Sequence, residues 1–367
     1  MPSSQPLIPT RLDQVDATWL SHVLSLRHPG VQVTHVQVSD FLGYKPNKAR
    51  LHLRYNTVGE HAGLPASMIV KGGFKRTPSG EELSGLDIGL ELELQAYQEL
   101  IPHLNVRTPD CFYVHFDPRQ YDGVMLIEDL DPSGATFLKH RNCLALHEAE
   151  AFIDAMAQLH APWLDGVAFA EGTQFGPQSP LNERTERLQR EYLDQMVHPQ
   201  RWDALMALPR GAALPRQLQD PQRLAAALQR MKALHRNCAQ TLVHGDEHLG
   251  NLYFDAQGNA GFIDWCARRQ PWVVGFTYFL LSCLDALDRR AWERPLLQRY
   301  LAGLEACGAQ APSFDEAWLL HRSTCVFPLL TWVNNSAKWQ PESINTRNAL
   351  RAAWAVVDHD TLNLLGV

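Results

Sequence analysis

Hydrophobic and polar positions divide the chain into two parts with different periodicities. Up to about residue 130, apolar residues either alternate with polar ones or form brief runs, as is typical of β-strands. After residue 131, most apolar positions recur at the three- and four-residue spacing of amphipathic helices. We therefore expect an α+β protein with a small β-rich N-terminal part and a larger, mostly helical remainder.

The expected elements follow this division. Strands are predicted over residues 31–38, 49–55, 67–72, 112–115 and 124–127, with helices over 16–26 and 90–100. The second part is predicted to contain helices over residues 144–164, 184–196, 223–238, 288–306, 314–334 and 344–365. The one strand pair predicted there joins residues 251–255 to residues 261–264, through a turn rich in Gly and Asn.

Charge and cysteine usage narrow the class of protein. The 367 residues carry 33 Lys and Arg against 40 Asp and Glu, a net charge of −7, which argues against a nucleic-acid binder. Seven cysteines lie singly without a C-x-x-C pair, so neither a disulfide framework nor a cysteine-based zinc site is expected. The first ten residues lack a signal-peptide pattern, and no apolar run approaches a membrane span. These features favour a cytoplasmic globular protein; the oligomeric state stays open.

The most informative segment runs from residue 242 to residue 265. Asp246 and Asn251 lie five positions apart on a loop after an apolar run, and Asp264 ends the returning strand. Protein kinases use His-x-Asp-x-x-x-x-Asn and a later Asp, so that one carboxylate orients the acceptor hydroxyl while the others hold Mg²⁺. His244, Asp246, Asn251 and Asp264 reproduce this spacing. Either Asp246 or Asn251 alone would be more typical of an ordinary turn.

A zinc site is the literal competitor for this segment. His244, Glu247 and His248 match the H-x-x-E-H pattern, which requires both histidines on one face of a helix. Gly245 is a poor helix residue and the preceding residues resemble a strand, so the zinc interpretation is disfavoured. His244 is expected to be structural. His248 is expected either to support catalysis or to pack the loop.

The N-terminal part offers groups that suit a nucleotide. Lys71 ends the run Met68-Ile69-Val70-Lys71, as does the phosphate-contacting lysine of the kinase V-A-I-K motif. Glu91 and Glu93 on the next helix are the candidate partners of this lysine. The loop over residues 43–48 is a weaker candidate to cover the phosphates, because it lacks the glycine pattern of protein kinases.

Residues 124–130 form an apolar strand that ends at two acidic positions. Its backbone around Glu128 and Leu130 is a candidate to bind adenine, although the segment is equally typical of a plain last strand of the sheet.

With these residues in view, the chain resembles the aminoglycoside phosphotransferase and choline kinase superfamily, and within it the ecdysteroid kinase-like branch. The resemblance covers roughly residues 30–305. It implies a protein-kinase-like bilobal fold and ATP- and Mg²⁺-dependent phosphorylation of a small-molecule hydroxyl. By position, Asp246 is the base, Asn251 and Asp264 are metal ligands, Lys71 contacts phosphate and Glu93 pairs with Lys71. The motifs are residues 244–251, Ile263-Asp264-Trp265, residues 126–130, Lys71, residues 93–97 and residues 159–163.

The resemblance also implies a division of labour and exposes two departures. Residues 1–130 would form a nucleotide-binding lobe, and residues 131–367 a catalytic and acceptor-binding lobe. Relatives commonly carry Asp-Leu-Ala-Tyr where this chain has Gly275-Phe276-Thr277-Tyr278, so a structural carboxylate is missing. Cys266 stands where Gln is frequent. Neither departure affects the catalytic set, so we expect an active enzyme.

The acceptor is weakly constrained. A net charge of −7 is too modest to indicate the acidic cleft that aminoglycosides require. An aromatic set in the helical part is more typical of a core; if it lined the cleft, it would favour an apolar alcohol. This set comprises Trp272, Phe276, Tyr278, Phe327, Trp332 and Trp339. The main alternative to an enzyme is a catalytically weak nucleotide-binding or scaffold protein. A protein kinase is disfavoured because neither Asp-Phe-Gly nor Ala-Pro-Glu follows.

Overall fold

The computed structural model describes residues 7–41, 47–77, 80–164, 166–191 and 195–367. The chain folds into two compact units. The first contains the described residues up to Thr136 together with Tyr253–Cys266, and the second contains Phe137–Leu252 and Ala267–Val367. The chain therefore leaves the first unit, builds part of the second, and returns for a short segment. The predicted division of labour at residue 130 stays a prediction.

An antiparallel five-stranded sheet forms the centre of the first unit. Its strands are β1 (Val33–Phe41), β2 (Lys48–Tyr55), β3 (Ser67–Gly72), β4 (Cys111–Asp117) and β5 (Asp122–Glu128), in the spatial order β1-β2-β3-β5-β4. Side chains of β2 alternate as predicted, with Ala49, Leu51, Leu53 and Tyr55 buried. Strand β5 is buried along almost its whole length, which explains why its central residues 124–127 are all apolar.

Helices α1 (Ala17–Ser25), α2 (Thr57–His61) and α3 (Ile88–Glu99) complete the first unit, together with the strands β8 (Leu252–Phe254) and β9 (Ala260–Phe262) of its returning segment. Asp16 and Asp87 cap α1 and α3, because each side chain accepts a hydrogen bond from a backbone N–H of the first turn. The predicted helices over residues 16–26 and 90–100 and the predicted strand pair over residues 251–264 are confirmed.

The second unit is mostly helical. Its helices are α4 (Leu146–His160), α5 (Pro180–Glu191), α6 (Pro199–Met206), α7 (Pro209–Ala212), α8 (Pro221–His235), α9 (Trp272–Cys283), α10 (Ala286–Ala306), α11 (Phe314–Thr324), α12 (Val326–Asn334), α13 (Glu342–Asp358) and α14 (Thr361–Leu364). Strands β7 (Gln240–Val243) and β10 (Arg268–Pro271) pair antiparallel. The two-residue strand β6 (Thr136–Phe137) stands where the chain passes from one unit to the other. The predicted α+β composition is confirmed.

Two predicted helices are interrupted in the structure, and helix α9 and strand β10 are among the elements that were not predicted. The single helix predicted over residues 314–334 is interrupted at Cys325, because Pro328 lacks an N–H and its ring opposes the carbonyl of Thr324. The helix predicted over residues 344–365 is interrupted at Asp360, whose φ of 49° is left-handed. Helix α9 was missed because all its residues are buried, so it has no polar face and no helical period. Strand β10 was missed because its residues do not alternate.

All seven cysteines are free thiols. Among the described residues, no helix combines the length and apolar character that crossing a membrane requires.

Candidate active site

The loop after β7 carries the predicted catalytic residue in the second unit. Residues 244–248 form no helix, and a single 3-10 turn follows at Leu249–Asn251. Gly245 adopts a φ of 92°, a left-handed conformation that glycine takes without steric cost, and it turns the chain directly before Asp246. The backbone N–H of Asp246 donates to Nδ1 of His244, which is fully buried. The loop is therefore held by local hydrogen bonds rather than by helical ones.

Three side chains surround the carboxylate of Asp246. The Tyr278 hydroxyl donates to Oδ1 at 2.9 Å, and Asn251 Nδ2 donates to Oδ2 at 3.0 Å. His248 Nε2 lies 3.3 Å from Oδ2. The side chain of Asp246 nevertheless remains 35% exposed, so a reactant can reach it. Sequence spacing placed Asp246 and Asn251 on one loop, whereas nothing in the sequence indicated that Tyr278 contacts Asp246.

These donors keep Asp246 ionised. Burial by itself would raise the pKa of Asp246, but His248, His244 and the Tyr278 hydroxyl outweigh it and lower this pKa to about 2. A carboxylate with such a low pKa is negatively charged at neutral pH and acts as a hydrogen-bond acceptor. This is the state in which it can orient a hydroxyl group.

The neighbours of His248 define its tautomer. Nδ1 accepts a hydrogen bond from the Gly250 N–H at 2.9 Å, so in the neutral ring Nε2 carries the proton and faces Asp246. His248 also contacts Trp332 edge to face. It thus supports the carboxylate and packs the loop at the same time. The zinc interpretation requires both histidines on one helix, and residues 244–248 are not helical. The candidate metal clusters found among the described residues also do not include this segment.

Asn251 presents an oxygen in a defined direction. Nδ2 donates both to the backbone oxygen and to Oδ2 of Asp246, each at 3.0 Å. Among the described residues, no donor contacts Oδ1 of Asn251. The amide orientation therefore directs Oδ1 away from the Asp246 carboxylate and leaves it as a possible ligand atom.

The first unit contains a second group of charges. Lys71 Nζ, on β3, lies 2.6 Å and 2.9 Å from the carboxylate oxygens of Glu93 on α3, and 2.5 Å from Oδ1 of Asp264. Lys71 and Glu93 are buried, whereas the Asp264 side chain is 42% exposed. Glu91 lies on the opposite side of α3, where it accepts a hydrogen bond from Tyr121. Of the two candidates, Glu93 is therefore the partner of Lys71.

One lysine facing two carboxylates shifts the pKa values of this group. Burial alone would lower the pKa of Lys71, but Asp264 and Glu93 outweigh it, so its pKa is raised. Burial and the charge of Asp264 raise the pKa of Glu93 to about 7, against the opposing effect of Lys71. Asp264 has a φ of 56°, a left-handed conformation that Asp adopts more readily than most residues. Such backbone strain is concentrated at functional sites.

The segment after β5 is fixed by arginines that the sequence did not single out. Arg107 donates to both carboxylate oxygens of Glu128, at 2.9 Å and 2.7 Å, and Arg50 pairs with Asp129 at 2.5 Å. The backbone N–H of Leu130 has no acceptor among the described residues, whereas its carbonyl accepts from Ala135. The Glu128 side chain is thus engaged within the protein, and the Leu130 N–H is left for another acceptor.

Comparison with known proteins agrees with this geometry. The model of the ecdysteroid kinase-like family matches residues 44–311, more than half of the chain. The chain belongs to the ecdysteroid kinase-like family. This membership confirms the resemblance found in the sequence and supports a kinase-like phosphotransferase. No curated protein matches the chain.

Solved structures place the family member in a known fold. A choline kinase from Cryptosporidium parvum Iowa II shares 14% of its residues with this chain, covers 95% of both chains, and has a TM-score of 0.52. The choline kinase LicA from Streptococcus pneumoniae shares 10%, covers 93% of this chain and 98% of its own, and has a TM-score of 0.49. At these identities the first similarity shows the fold alone, and it confirms the predicted protein-kinase-like class.

Most of the aromatic set of this family member belongs to its core. Trp272, Phe276, Tyr278, Phe327 and Trp332 are at most 5% exposed, whereas Trp339 is 46% exposed. The five buried side chains give no support to an apolar acceptor. Residues 43–46 of the candidate phosphate loop lie outside the described residues.

Proposed function

We propose that this protein transfers the γ-phosphoryl group of ATP to a hydroxyl of a small molecule, with Mg²⁺ as the cofactor. The observation that carries the proposal is the Asp246 carboxylate, ionised, partly exposed and held by Tyr278, Asn251 and His248. Membership in a kinase-like family supports the reaction class.

In the proposed reaction, Asp246 accepts a hydrogen bond from the acceptor hydroxyl and orients its oxygen toward the γ-phosphorus. A new oxygen–phosphorus bond forms as the bond between the γ-phosphorus and the bridging oxygen breaks, and ADP leaves with that oxygen. The hydroxyl proton passes to Asp246 and then to solvent. A base with a low pKa suits this chemistry, because the transition state of phosphoryl transfer is loose and requires little early proton abstraction.

Lys71 is proposed to contact the phosphates while Glu93 holds its ammonium group in place. Glu128 and Leu130 are proposed to contact adenine through their backbone, and the acceptor-free N–H of Leu130 suits a ring nitrogen. The ion pair of Glu128 with Arg107 then serves to hold this segment in position.

Asn251 and Asp264 are proposed to hold Mg²⁺. Their donor chemistry fits this ion, since both offer oxygen atoms: Oδ1 of Asn251, which no donor contacts among the described residues, and the half-exposed carboxylate of Asp264. When bound, Mg²⁺ would neutralise phosphate charge that develops in the transition state. Asn251 belongs to the second unit and Asp264 to the first. The role proposed for each residue rests on contacts within its own unit.

The acceptor class is proposed only as a small alcohol. Kinases for choline and ethanolamine are among the proteins of similar fold, which makes amino alcohols reasonable members of a test panel. Aminoglycosides and apolar alcohols complete it. The cytoplasmic location stays a prediction, with which the free cysteines are consistent.

The test has two stages. The protein is first heated with ATP, Mg²⁺ or both, and we expect the largest rise in melting temperature with both. ADP release is then measured with the panel of alcohols, and the product is identified by mass spectrometry. Transfer by the wild type that is lost in Asp246→Asn supports the proposal. Binding of Mg·ATP without transfer to any acceptor would favour the nucleotide-binding scaffold, and transfer retained by Asp246→Asn would refute the assigned base.

A further inference from the structure

Glu247 is a buried carboxylate that the proposed reaction does not use. It directly follows Asp246 and is only 2% exposed, although glutamate seldom occupies such a position without a specific partner. Its Oε1 accepts a hydrogen bond from the backbone N–H of Gly245 at 3.0 Å. Glu247 therefore bonds to the backbone on the other side of Asp246, across the left-handed turn at Gly245.

Gly275, which has no side chain, leaves room for the carboxylate of Glu247. It lies within α9, where glycine is a poor helix former. A Cβ atom at this position would stand 3.0 Å from Oε1 of Glu247, closer than nearly all real contacts of a Cβ, and 3.4 Å from Val243 Cγ1. The absence of a side chain at residue 275 is thus what permits the carboxylate of Glu247 to lie against α9.

The same face of α9 meets the loop at a second point. Tyr278, three residues after Gly275 and so on the same side of the helix, donates its hydroxyl to Oδ1 of Asp246. Cys283 Sγ lies 3.6 Å from the backbone oxygen of Glu247, near the end of the helix. Helix α9 therefore positions both Asp246 and the residues next to it.

We propose that Glu247 is a positioning residue: its carboxylate lies against Gly275 of α9, accepts from the Gly245 N–H, and so holds the turn that places Asp246. Because a Cβ at residue 275 would already contact Oε1 of Glu247, an aspartate at this position of α9 would compete with Glu247 for the same volume. One carboxylate fits there, and this chain provides it from residue 247. The proposal rests on the proposed function for its effect on catalysis, whereas its structural part stands on these contacts alone.

The proposal predicts that the carboxylate can be moved. In Glu247→Leu, the Gly245 N–H loses its acceptor, Asp246 shifts, and kcat falls by about 10- to 100-fold with little change in the KM for ATP. Gly275→Asp alone also lowers kcat, because two carboxylates compete for one space. The double variant Glu247→Leu/Gly275→Asp recovers most of the wild-type kcat. Glu305→Leu, which removes an exposed glutamate of α10, is the matched control and leaves kcat unchanged.

Amide hydrogen exchange of the peptide around Gly245 gives a readout that does not depend on activity. We expect faster exchange in Glu247→Leu and recovered protection in the double variant. If no phosphoryl transfer is found for the wild type, the proposed function fails, but this exchange pattern still decides the positioning role. If Glu247→Leu does not fold, Glu247→Gln retains the acceptor oxygen and should preserve protection. Unchanged kcat and exchange in Glu247→Leu, or a double variant worse than both single variants, would overturn the proposal.

Discussion

Each unit contains a carboxylate whose pKa is shifted from its ordinary value, and the two shifts have opposite directions and opposite causes. Asp246, in the second unit, is one carboxylate surrounded by donors from a hydroxyl, an amide and an imidazole. Glu93, in the first unit, shares the single ammonium group of Lys71 with Asp264. The pKa is lowered to about 2 for Asp246 and raised to about 7 for Glu93.

The difference shows that the balance of donors against carboxylates, together with burial, decides the charge state. Asp246 is one carboxylate contacted by Tyr278, Asn251 and His248, and it stays ionised. Lys71 directly contacts two carboxylates, and neither its charge nor the lesser effect of Lys48 outweighs burial and the charge of Asp264, which raise the pKa of Glu93. The proposed Mg²⁺ ligation at Asp264 would add a further cation next to these two carboxylates.

The largest expected effect concerns Asp246, the carboxylate that several donors surround. Asp246→Asn removes the charge but keeps the shape, so we expect kcat to fall by about 10²- to 10⁴-fold while the protein stays folded. The measurement is steady-state ADP release with an acceptor that the wild type uses, together with the melting temperature. Asp203→Asn, which changes an exposed aspartate of α6, is the control. A loss of less than a few-fold would contradict the assigned role.

The second prediction tests the ion pair between Lys71 and the buried Glu93. Lys71→Met removes the cation that directly contacts the buried Glu93, so we expect the free energy of unfolding at pH 8 to fall by about 3–5 kcal/mol. Denaturant unfolding measures this, with the exposed Lys338→Met as the control. At pH 5 the loss should be smaller, because Glu93 then takes up a proton. An equal loss at both pH values would show that Glu93 is not the group left unpaired.

The third prediction separates the two groups by pH. Because the pKa of Glu93 is raised from 4.5 to about 7, the folded protein holds a proton between these values that the unfolded chain has released. This contribution makes the free energy of unfolding decrease as pH rises from about 4.5 to 7, and Glu93→Gln should lack the decrease.

The lowered pKa of Asp246 has the opposite sign. Its stabilising contribution is present above pH 3.8 and is lost only as pH falls toward 2, so Asp246→Asn should not alter the slope between pH 5 and 8. Denaturant unfolding at several pH values checks both variants, and a slope changed by Asp246→Asn instead of Glu93→Gln would reverse the comparison.

The smallest expected effect concerns a single donor. Tyr278→Phe removes one hydrogen bond to Asp246, and because this carboxylate is partly exposed we expect a loss of about 1 kcal/mol in the free energy of unfolding. In an Asp246→Asn background, the same change should cost less, since the acceptor is no longer charged. Since Phe keeps the ring that stacks on Trp332, equal costs in both backgrounds would indicate that the loss does not come from a hydrogen bond to the charged carboxylate.

The sequence predicted elements that have one polar and one apolar face, and contacts between residues that lie close together in the chain. The alternating strand β2 and the helix α3 have such patterns, and Asp246 and Asn251 lie close in space because they share one short loop. Helix α9 has no such pattern because all its residues are buried, and helix α12 begins anew because of Pro328.

By itself, the sequence determined the α+β class, the chemistry available at Lys71, Asp246, Asn251 and Asp264, and the resemblance to a kinase-like family. Local spacing and residue type carry that information. The residue pattern alone left Glu91 and Glu93 open, and the family resemblance assigned Glu93; the tertiary structure shows that Glu93 contacts Lys71, because residues two apart on a helix point to different sides. It also decided the contact of Gly275 with Glu247 and the ion pairs of Arg107 and Arg50. Those contacts join residues distant in the chain, or depend on space that a neighbour leaves empty, and no local pattern records them.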